Sequence, residues 1–382
     1  MWICCEAAIL VESSHKARWG NTPWTIDFHP VTRALPEEVD FVVLGGGFSG
    51  LSAATWLRRL EPRKSVALLE ARSLGAGASG HSGGMTLAES SAGDLPGLGD
   101  VLEGFSSILR ELEVDCDLAL PGAFELGRTH PLPDSPIAWD DSGDLRAVKQ
   151  VPGGSVDPGK LVSGLARAAD HAGVLLFENA NVEKVVFDEP LRLKTGGRQI
   201  RAHRAIFATN AQSLEVSGLA GRALPKFTLA LATAPLTAAQ LTAIGLASRK
   251  PFYTTDFPYL WGRLLSNDGI VFGSGLVHLD DWRGFSEIDI DVGEPAALMA
   301  RLEVRVHGLH PLLRDIRITH RWGGPILIGE QWRPIFGTHP RSSQALVLGA
   351  YAGHGVALSV YLGRWAAEAL LGRRALPEWD EP

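Results

Sequence analysis

The chain has 382 residues, of which 45% are hydrophobic, so it is long and apolar enough for about two or three domains, which excludes a disordered or collagen-like chain. Its 43 acidic and 36 basic side chains leave a net charge of −7 without any block of five like charges, so nucleic acid is not an expected partner. Charges and glycines interrupt every apolar stretch before the roughly 18 residues that a membrane-spanning helix needs, and no membrane association is expected.

The first 38 residues are predicted to form an N-terminal arm that lies over the surface of a folded body. Residues 1–11 are apolar, but acidic residues interrupt them and no basic residue precedes them, so they are interpreted as a peripheral tail and not as a signal peptide. Residues 13–38 are rich in tryptophan and proline and have no hydrophobic period. Cys4 and Cys5 are adjacent and the third cysteine is isolated, which favours a reducing, cytoplasmic compartment.

Residues 39–69 have the pattern of a βαβ unit. A β-branched run at 39–44 is followed by a glycine cluster at 45–50, a helical stretch at 51–60 and a second strand at 66–69. This order within about thirty residues predicts two parallel neighbouring strands with a right-handed crossover.

Gly45, Gly47 and Gly50 have the G-x-G-x-x-G spacing of a dinucleotide-binding turn. Gly45 permits the tight turn, Gly47 lets the backbone approach a pyrophosphate, and Gly50 lets helix and strand pack closely. Glu70 follows the last glycine by about 20 residues, where a carboxylate accepts the hydroxyls of an adenosine ribose. Arg72 leaves an opening for a 2′-phosphate, which Glu70 would repel. A dinucleotide site is predicted, and a glycine turn with a well-placed surface carboxylate is the structural alternative.

The rest of the chain alternates helices, strands and proline-rich loops, with no internal repeat. Five glycines within 75–84 argue against a helix or strand interior and indicate a close backbone approach to a ligand. Periodicity predicts helices at 101–112, 158–172 and 358–371, and strands at 174–177, 182–187, 205–208 and 345–350.

Six segments in register resemble the D-amino-acid-oxidase-like (DAO) superfamily of FAD enzymes, most closely its γ-glutamylputrescine-oxidase-like branch. They are VVLGGGFSGLSAATWL at 42–57, LLEARSLGAGASGHSGGM at 68–85, AIFATNA at 205–211, HRWGG at 320–324, RPIFG at 333–337 and YAGHGVAL at 351–358. The resemblance implies an α/β fold with an FAD-binding Rossmann-like domain of the glutathione-reductase type. It also implies a second α+β substrate domain on a mixed or antiparallel sheet.

The implied FAD-binding domain is discontinuous, and the substrate domain is inserted between its parts. The FAD-binding domain takes 39–90, 151–215 and 321–382, and the substrate domain takes 91–150 and 216–320.

The resemblance also assigns site residues. Those implied to bind FAD are Gly45, Gly47, Phe48, Ser49, Gly50, Glu70, Ala71, Arg72, Ala78, Ser79, Gly80, His81, Gly83, Gly84, Met85, Val182, Thr209, Asn210, Gly324, Gly337, Gly353, His354, Gly355, Val356 and Ala357. Those implied to be catalytic are His81, Trp322 and His354, and the candidate pocket walls for the substrate are Tyr259, Trp261, Arg263, Trp322, Trp332 and Arg333.

The implied reaction is oxidation of the C–N bond of a primary or secondary amine. Hydride passes to flavin N5, water hydrolyses the imine, and O2 is reduced to H2O2. The alternatives are an amino-acid dehydrogenase with a protein or quinone acceptor, and a non-catalytic flavoprotein. Ala357 stands where sarcosine-oxidase-like members have a lysine for the substrate carboxylate, so a small-molecule amine without an α-carboxylate is the expected substrate.

The FAD is expected to be non-covalent. No cysteine stands where some relatives tether the flavin, whereas His81 resembles the flavin-linked histidine of dimethylglycine-dehydrogenase-like enzymes and is the candidate for a histidyl bond.

Two other groups of residues suggest different chemistry. Ser82 within Gly80–Gly84 fits the G-x-S-x-G elbow of α/β-hydrolases, but a small-residue loop precedes it where a strand is required. His307 and His310 share a helical face without a third ligand, so no metal is expected. The oligomeric state is left open.

Overall fold

The structure is a computed structural model in which residues 18–380 are described. The strands are β1 (Glu38–Leu44), β2 (Val66–Leu69), β3 (Met85–Leu87), β4 (Ala123–Gly127), β5 (Ala138–Asp140), β6 (Asp144–Val151), β7 (Gly153–Ser155), β8 (Leu175–Phe177), β9 (Val182–Val186), β10 (Leu191–Thr195), β11 (Arg198–Phe207), β12 (Ala223–Thr233), β13 (Phe252–Thr254), β14 (Trp261–Leu264), β15 (Ile270–His278), β16 (Ile318–Gly329), β17 (Ile335–His339) and β18 (Ser342–Gly349). The α-helices are α1 (Phe48–Leu60), α2 (Ala78–His81), α3 (Val101–Glu111), α4 (Pro158–Ala172), α5 (Leu214–Ser217), α6 (Ala238–Ala243), α7 (Gly293–Leu309) and α8 (Gly355–Leu370).

The first eight-stranded sheet has a parallel centre. Its order is β17-β18-β11-β1-β2-β8, and β10 and β9 extend antiparallel from β11. β1 pairs in parallel with both β2 and β11, and the last residues of these strands, Leu44, Leu69 and Phe207, lie in one register. The predicted βαβ unit is confirmed, and the carboxyl ends of its strands meet at one edge of the sheet.

β1 is buried on both faces, as expected of a central parallel strand. Val42 and Leu44 belong to a core shared with the second sheet. Val43 belongs to a second core under α1, α3, α4 and α8. The continuous apolar sequence of this strand therefore serves two cores at once.

The second eight-stranded sheet has the order β16-β12-β15-β14-β13-β4-β6-β5. All of its pairs are antiparallel except β13 with β4. β12 pairs with β16 from Ala223↔Gly329 to Thr233↔Ile318, and this long ladder carries the strand β16 alongside the first sheet's loops. β16 belongs to this sheet, whereas the predicted domain boundaries place residues 321–329 in the FAD-binding domain. The domain boundaries stay a prediction.

Most predicted elements are found within three residues of their predicted ends. The strand predicted at 205–208 is wrong in extent, because β11 already begins at Arg198. Ile200 and Ala202 are buried between outward polar residues, so this half of β11 has the period of two that marks a one-sided strand.

Two further expectations are wrong. The glycine-rich stretch 75–84 was expected to lack helix, but the four residues of α2 lie within it. The arm was expected to lie over the surface, but Trp19 and Trp24 are only 5% and 7% exposed, because their indoles pack between α2 and the second sheet. The tail predicted at residues 1–11 lies outside the described residues.

Within residues 18–380, no helix is long and apolar enough to cross a membrane.

Candidate functional site

A cavity of about 1510 Å³ lies between the loops at the edge of the first sheet and one face of the second sheet. Clefts for single small molecules usually measure about 300–1,000 Å³, so this cavity has room for a dinucleotide and a smaller second molecule. We call its lining from 45–50, 75–84 and 353–355 the glycine-rich half. We call its lining from Tyr253, Tyr259, Trp261, Trp322 and Trp332 the aromatic half.

The turn after β1 depends on missing side chains. Gly45 has φ +103°, and a Cβ there would lie 2.5 Å from the carbonyl oxygen of Ala208. A Cβ on Gly50 would lie only 1.9 Å from the carbonyl oxygen of Gly45. Gly47 caps α1 without a side-chain hydrogen bond. The turn therefore places backbone N–H groups at a helix N-terminus, which is a favourable place for phosphates. One of them, the Phe48 N–H, donates to Ser79 Oγ at 3.0 Å.

Glu70 lies directly after β2 and lines the cavity beside this turn. Its Oε2 accepts a hydrogen bond from the Gly46 N–H at 2.7 Å, and its Oε1 accepts one from the Arg72 N–H at 2.9 Å. Burial raises the pKa of this carboxyl group, while the two backbone donors oppose that rise. Each oxygen keeps a second lone pair, so the carboxylate is held in place and can still accept hydroxyl groups.

In the second glycine stretch, rings and backbone are in close contact. A Cβ on Gly83 would lie 2.0 Å from the Trp261 ring, and a Cβ on Gly324 would lie 2.8 Å from the Cβ of His81. Trp322 is fully buried, and its Nε1–H donates to the His81 carbonyl oxygen at 3.1 Å. The glycine-rich and aromatic halves are thus joined at this point without a gap.

Two histidines of the lining are held in neutral form. His81 Nδ1 lies 2.9 Å from the Gly77 carbonyl oxygen, and burial lowers the pKa of this imidazole. His354 stands at the N-cap of α8, and burial lowers its pKa as well. Neutral imidazoles leave the positive end of the α8 dipole as the source of positive potential at this wall.

Several buried polar atoms of the lining have no hydrogen-bond partner among the described residues. They are Ser82 Oγ, Thr209 Oγ1, His354 Nδ1 and Ser359 Oγ. Buried polar groups are normally paired, so unpaired ones facing one cavity indicate that a polar ligand completes them. Together with the glycine turn and the Glu70 carboxylate, these atoms fit an FAD molecule.

The aromatic half is fixed by hydrogen bonds at the polar ends of its rings. Tyr259 Oη lies 2.8 Å from Thr228 Oγ1 and donates to the Gly275 carbonyl oxygen at 3.1 Å. Burial raises the pKa of Tyr259 to about 12, so its hydroxyl stays protonated. Trp332 is 41% exposed and lies at the rim of the cavity.

Three arginines near these segments, Arg263, Arg321 and Arg333, do not line the cavity. Arg263 is buried behind the glycine stretch, where its Nε donates to the Gly83 carbonyl oxygen and burial lowers its pKa to about 10. Arg321 is paired with Glu303 at 2.6 Å. Arg333 is exposed and does not line the cavity.

The structure brings most predicted site residues to this one cavity. Those that do not line it are Gly50, Gly80, Gly337, Ala357, Arg263 and Arg333. Gly337 instead pairs with Val347 inside the first sheet.

Sequence reasoning missed other residues of the lining, and these include Trp19, Glu89, Glu125, Tyr253 and Tyr351. Tyr351 shares a 2.6 Å hydrogen bond with Ser49, and its position before the Gly-His-Gly segment was an available signal. No such signal exists for Trp19, because it lies within residues 13–38, which have no hydrophobic period.

The hydrolase alternative is contradicted by the local order of elements. A nucleophile elbow places its serine between a preceding strand and a following helix. Ser82 instead follows the helix α2 and precedes the strand β3.

The predicted absence of a metal site concerned His307 and His310. His307 Nε2 lies 3.1 Å from the Ile316 carbonyl oxygen, and His310 Nδ1 accepts from the Leu312 N–H. In the part of the chain that the structure describes, no group of three His, Cys, Asp or Glu side chains could hold a metal ion.

Residues 40–369 match a protein family described as FAD dependent oxidoreductase, or DAO. The chain is 26% identical over 377 residues to gamma-glutamylputrescine oxidoreductase of Escherichia coli (strain K12), which covers 87% of this chain and 84% of that protein. It is also 26% identical over 392 residues to the probable oxidoreductase OrdL of Haemophilus influenzae, covering 90% and 85%.

Solved structures share the fold at low sequence identity. L-proline dehydrogenase from P. horikoshii superposes with a TM-score of 0.72 at 18% identity, covering 91% of this chain and 98% of that one. Glycine oxidase from Geobacillus kaustophilus gives a TM-score of 0.69 at 18% identity, covering 89% and 96%. These matches confirm the predicted fold class.

Proposed function

This chain belongs to the family of FAD dependent oxidoreductases, and from that premise we propose that it oxidises the carbon–nitrogen bond of a primary or secondary amine. The observation that carries the proposal is the continuity of the cavity. Backbone N–H groups and Glu70 line one part of it, and aromatic rings line the next part without an intervening wall. A cofactor and a small substrate therefore fit side by side, which is the arrangement that a direct transfer between them needs.

The glycine-rich half would hold FAD. The turn at 45–50 would bind the pyrophosphate, Glu70 the adenosine ribose, and the N-terminus of α8 the negative charge of the reduced ring. When bound, the flavin supplies the acceptor for the hydride that leaves the carbon beside nitrogen. The chain's own part is to position the amine, exclude water and keep His81 and His354 uncharged.

We propose that FAD is held without a covalent bond. Cys116 is buried outside the cavity lining, and burial raises the pKa of its thiol to about 12, so it offers no thiolate to the flavin. His81 lines the cavity and is the alternative attachment point. Acid precipitation distinguishes the two, because a non-covalent flavin colours the supernatant and a histidyl flavin colours the pellet.

The charges of the lining favour an amine without an α-carboxylate. Within residues 18–380, the cations of the lining are Arg72 and Arg283. Arg72 donates to the Ala76 carbonyl oxygen beside the glycine turn, and Arg283 is paired with Glu215 at 2.8 Å. A buried substrate carboxylate without a free cation would be destabilised by several kcal/mol.

Carboxylates, in contrast, are present in the lining. Glu89 and Glu125 line the cavity near Tyr253, where they raise the pKa of that phenol beyond the larger effect of burial, to about 12. A negative potential there favours a substrate with a second, cationic nitrogen away from the reacting one. The carboxylates therefore support acylated polyamines, and the rings of the aromatic half support arylalkylamines.

The experiment is anaerobic reduction of the purified yellow protein with a panel of amines, followed by stopped-flow mixing with O2. We expect higher kcat/KM for acylated polyamines or arylalkylamines than for sarcosine, glycine or D-amino acids, and hydrogen peroxide as the second product. Slow reoxidation by O2 with fast reoxidation by a quinone would make the protein a dehydrogenase. A small amino acid that is the best substrate by tenfold would overturn the substrate class.

A further inference from the structure

Within the N-terminal arm, residues 18–27 are the part that contacts the second sheet, and the contacts below belong to that part. The Arg18 N–H donates to the Ile288 carbonyl oxygen at 3.1 Å, and the Gly323 N–H donates to the Trp19 carbonyl oxygen at 2.8 Å. The Asn21 N–H donates to the Arg321 carbonyl oxygen at 3.1 Å. The arm thus runs beside β16 as an added piece of strand.

Trp19 connects the arm to the end of α2 and to the loop after β2. Its ring centroid lies 5.2 Å from that of His81, in an edge-to-face arrangement. The Arg72 guanidinium lies 4.9 Å from the Trp19 ring centroid. Its Nε1–H donates to the Phe285 carbonyl oxygen at 3.0 Å, and the indole lines the cavity. Both the loop after β2 and the end of α2 therefore rest on one side chain.

Trp24 connects the arm to the other face of α2. Its Nε1–H donates to the Gly80 carbonyl oxygen at 2.7 Å, and its ring lies 5.4 Å from that of Trp322. Nearby, the Cδ1 of Ile26 would lie 2.7 Å from a Cβ on Gly75. The arm therefore fills the space that the small residues of 75–84 leave on the side away from the cavity.

We propose that the arm is a working part of the cofactor site, in which Trp19 and Trp24 hold 75–84 in the shape that binds FAD. The inference rests on the proposed function for the identity of the cofactor. The glycine stretch has almost no side chains of its own to fix its path, and a four-residue helix is not stable by itself. Its conformation therefore depends on contacts from outside. Trp322 and Arg263 bond to the His81 and Gly83 carbonyl oxygens, and the two indoles of the arm add contacts at His81 and Gly80.

The proposal has a thermodynamic counterpart. If docking of the arm tightens FAD binding by some factor, FAD must tighten docking of the arm by the same factor. The Arg18–Trp19 peptide bond reports docking, because the Arg18 side chain is 76% exposed whereas the Trp19 side chain is buried. Trypsin can reach this bond only after the arm leaves the sheet.

The decisive measurement is the dissociation constant of FAD from apoprotein of the full chain, taken for Trp19→Ala and Trp24→Ala by flavin fluorescence. We expect at least tenfold weaker binding in both variants, with part of the loss restored in Trp19→Phe. Trp379→Ala is the matched control, because Trp379 is 6% exposed and packs on Trp365 away from the cavity lining. That variant should lose stability and keep its affinity for FAD.

Trypsin cleavage at Arg18 in the unsubstituted protein gives a second readout that needs no variant to fold. We expect FAD to slow this cleavage, and the protection to fall in Trp19→Phe. The proposal is overturned if FAD binding is unchanged in folded Trp19 and Trp24 variants, or if cleavage in the unsubstituted protein is independent of FAD. A protein that binds no FAD at all before any substitution would instead overturn the proposed function.

Discussion

Around the cavity, the loops after β1 and β2 present backbone amides, whereas the second sheet presents rings and hydroxyl groups. In the glycine-rich half the turn beside the cavity can form only because carbon atoms are missing, as the 1.9 Å approach at Gly50 shows. In the aromatic half the space is bounded by side chains whose polar ends are tied down, as Tyr259 is by Thr228. At Gly45 the first kind of wall cannot accept an added methyl group, whereas we expect the second to change one residue at a time.

Because the two halves are built differently, a substitution in one half should leave the function of the other half intact. Damage to the glycine-rich half should remove the cofactor, and damage to the aromatic half should change the choice of substrate while the cofactor stays.

The largest effect is expected from Gly50→Ala. The added Cβ would lie 1.9 Å from the Gly45 carbonyl oxygen, so the turn has to move, with a loss of about 3 kcal/mol or more in the free energy of unfolding and no retained flavin. Chemical denaturation and the flavin spectrum measure both. Gly308→Ala in α7 is the control, because its Cβ meets open space and should raise stability by about 0.5–1 kcal/mol. Equal behaviour of the two variants would contradict the account of the turn.

A smaller loss is expected from Glu70→Ala. The variant leaves the Gly46 and Arg72 N–H groups without their acceptor and removes the proposed ribose contact, so FAD should bind about 10–100-fold more weakly. Titration of the apoprotein with FAD measures the change. The affinity of Glu70→Gln for FAD should lie between those of the unsubstituted protein and of Glu70→Ala. At saturating FAD, kcat/KM should stay close to that of the unsubstituted protein, and a selective loss for one amine would break the separation of the halves.

In the aromatic half, Glu125→Gln should change selectivity only. We expect kcat/KM for an amine with a second cationic nitrogen to fall about fivefold to tenfold, while a neutral-tailed arylalkylamine is unaffected. Glu103→Gln on the exposed face of α3 is the control and should change neither value. An equal fall for both amines would show that Glu125 supports the cavity and does not select the substrate.

The smallest expected effect is on pH dependence. Burial lowers the pKa values of His81 and His354 below the usual histidine value of about 6.5, so the folded apoprotein favours their neutral forms. Below that pH the unfolded chain takes up protons that the folded chain does not, and stability is lost as pH falls. The Tm should therefore decrease from pH 7.5 to 5.5, and less steeply in His81→Gln/His354→Gln. An unchanged slope would mean that other groups, such as His339, dominate.

The glycine-rich half was largely predictable because its information is local. The spacing of Gly45, Gly47 and Gly50, a strand before them and Glu70 after the next strand are all contained in one βαβ unit. The aromatic half was predicted less completely. Tyr253, Glu89 and Glu125 reach the cavity only through pairings such as β13 with β4, and no local period reports such a pairing.

The arm shows the limit most clearly. A segment with many prolines and no period resembles a surface chain, and the burial of Trp19 depends on contacts with Phe285, 266 residues away. Arg263 shows the opposite error. It was predicted to be a wall of the substrate pocket, but it lies behind the glycine stretch and is bonded to the Gly83 carbonyl oxygen.

The 2.6 Å hydrogen bond between Ser49 and Tyr351 joins residues that are 302 positions apart. During synthesis on the ribosome, the first βαβ unit emerges early, but β1 receives its second neighbour only with β11, and α1 is covered only when α8 has been made. Until then the nascent chain has to carry an unpaired strand edge and an exposed apolar helix face, both of which promote aggregation. The cofactor turn therefore appears first in the chain and is completed almost last.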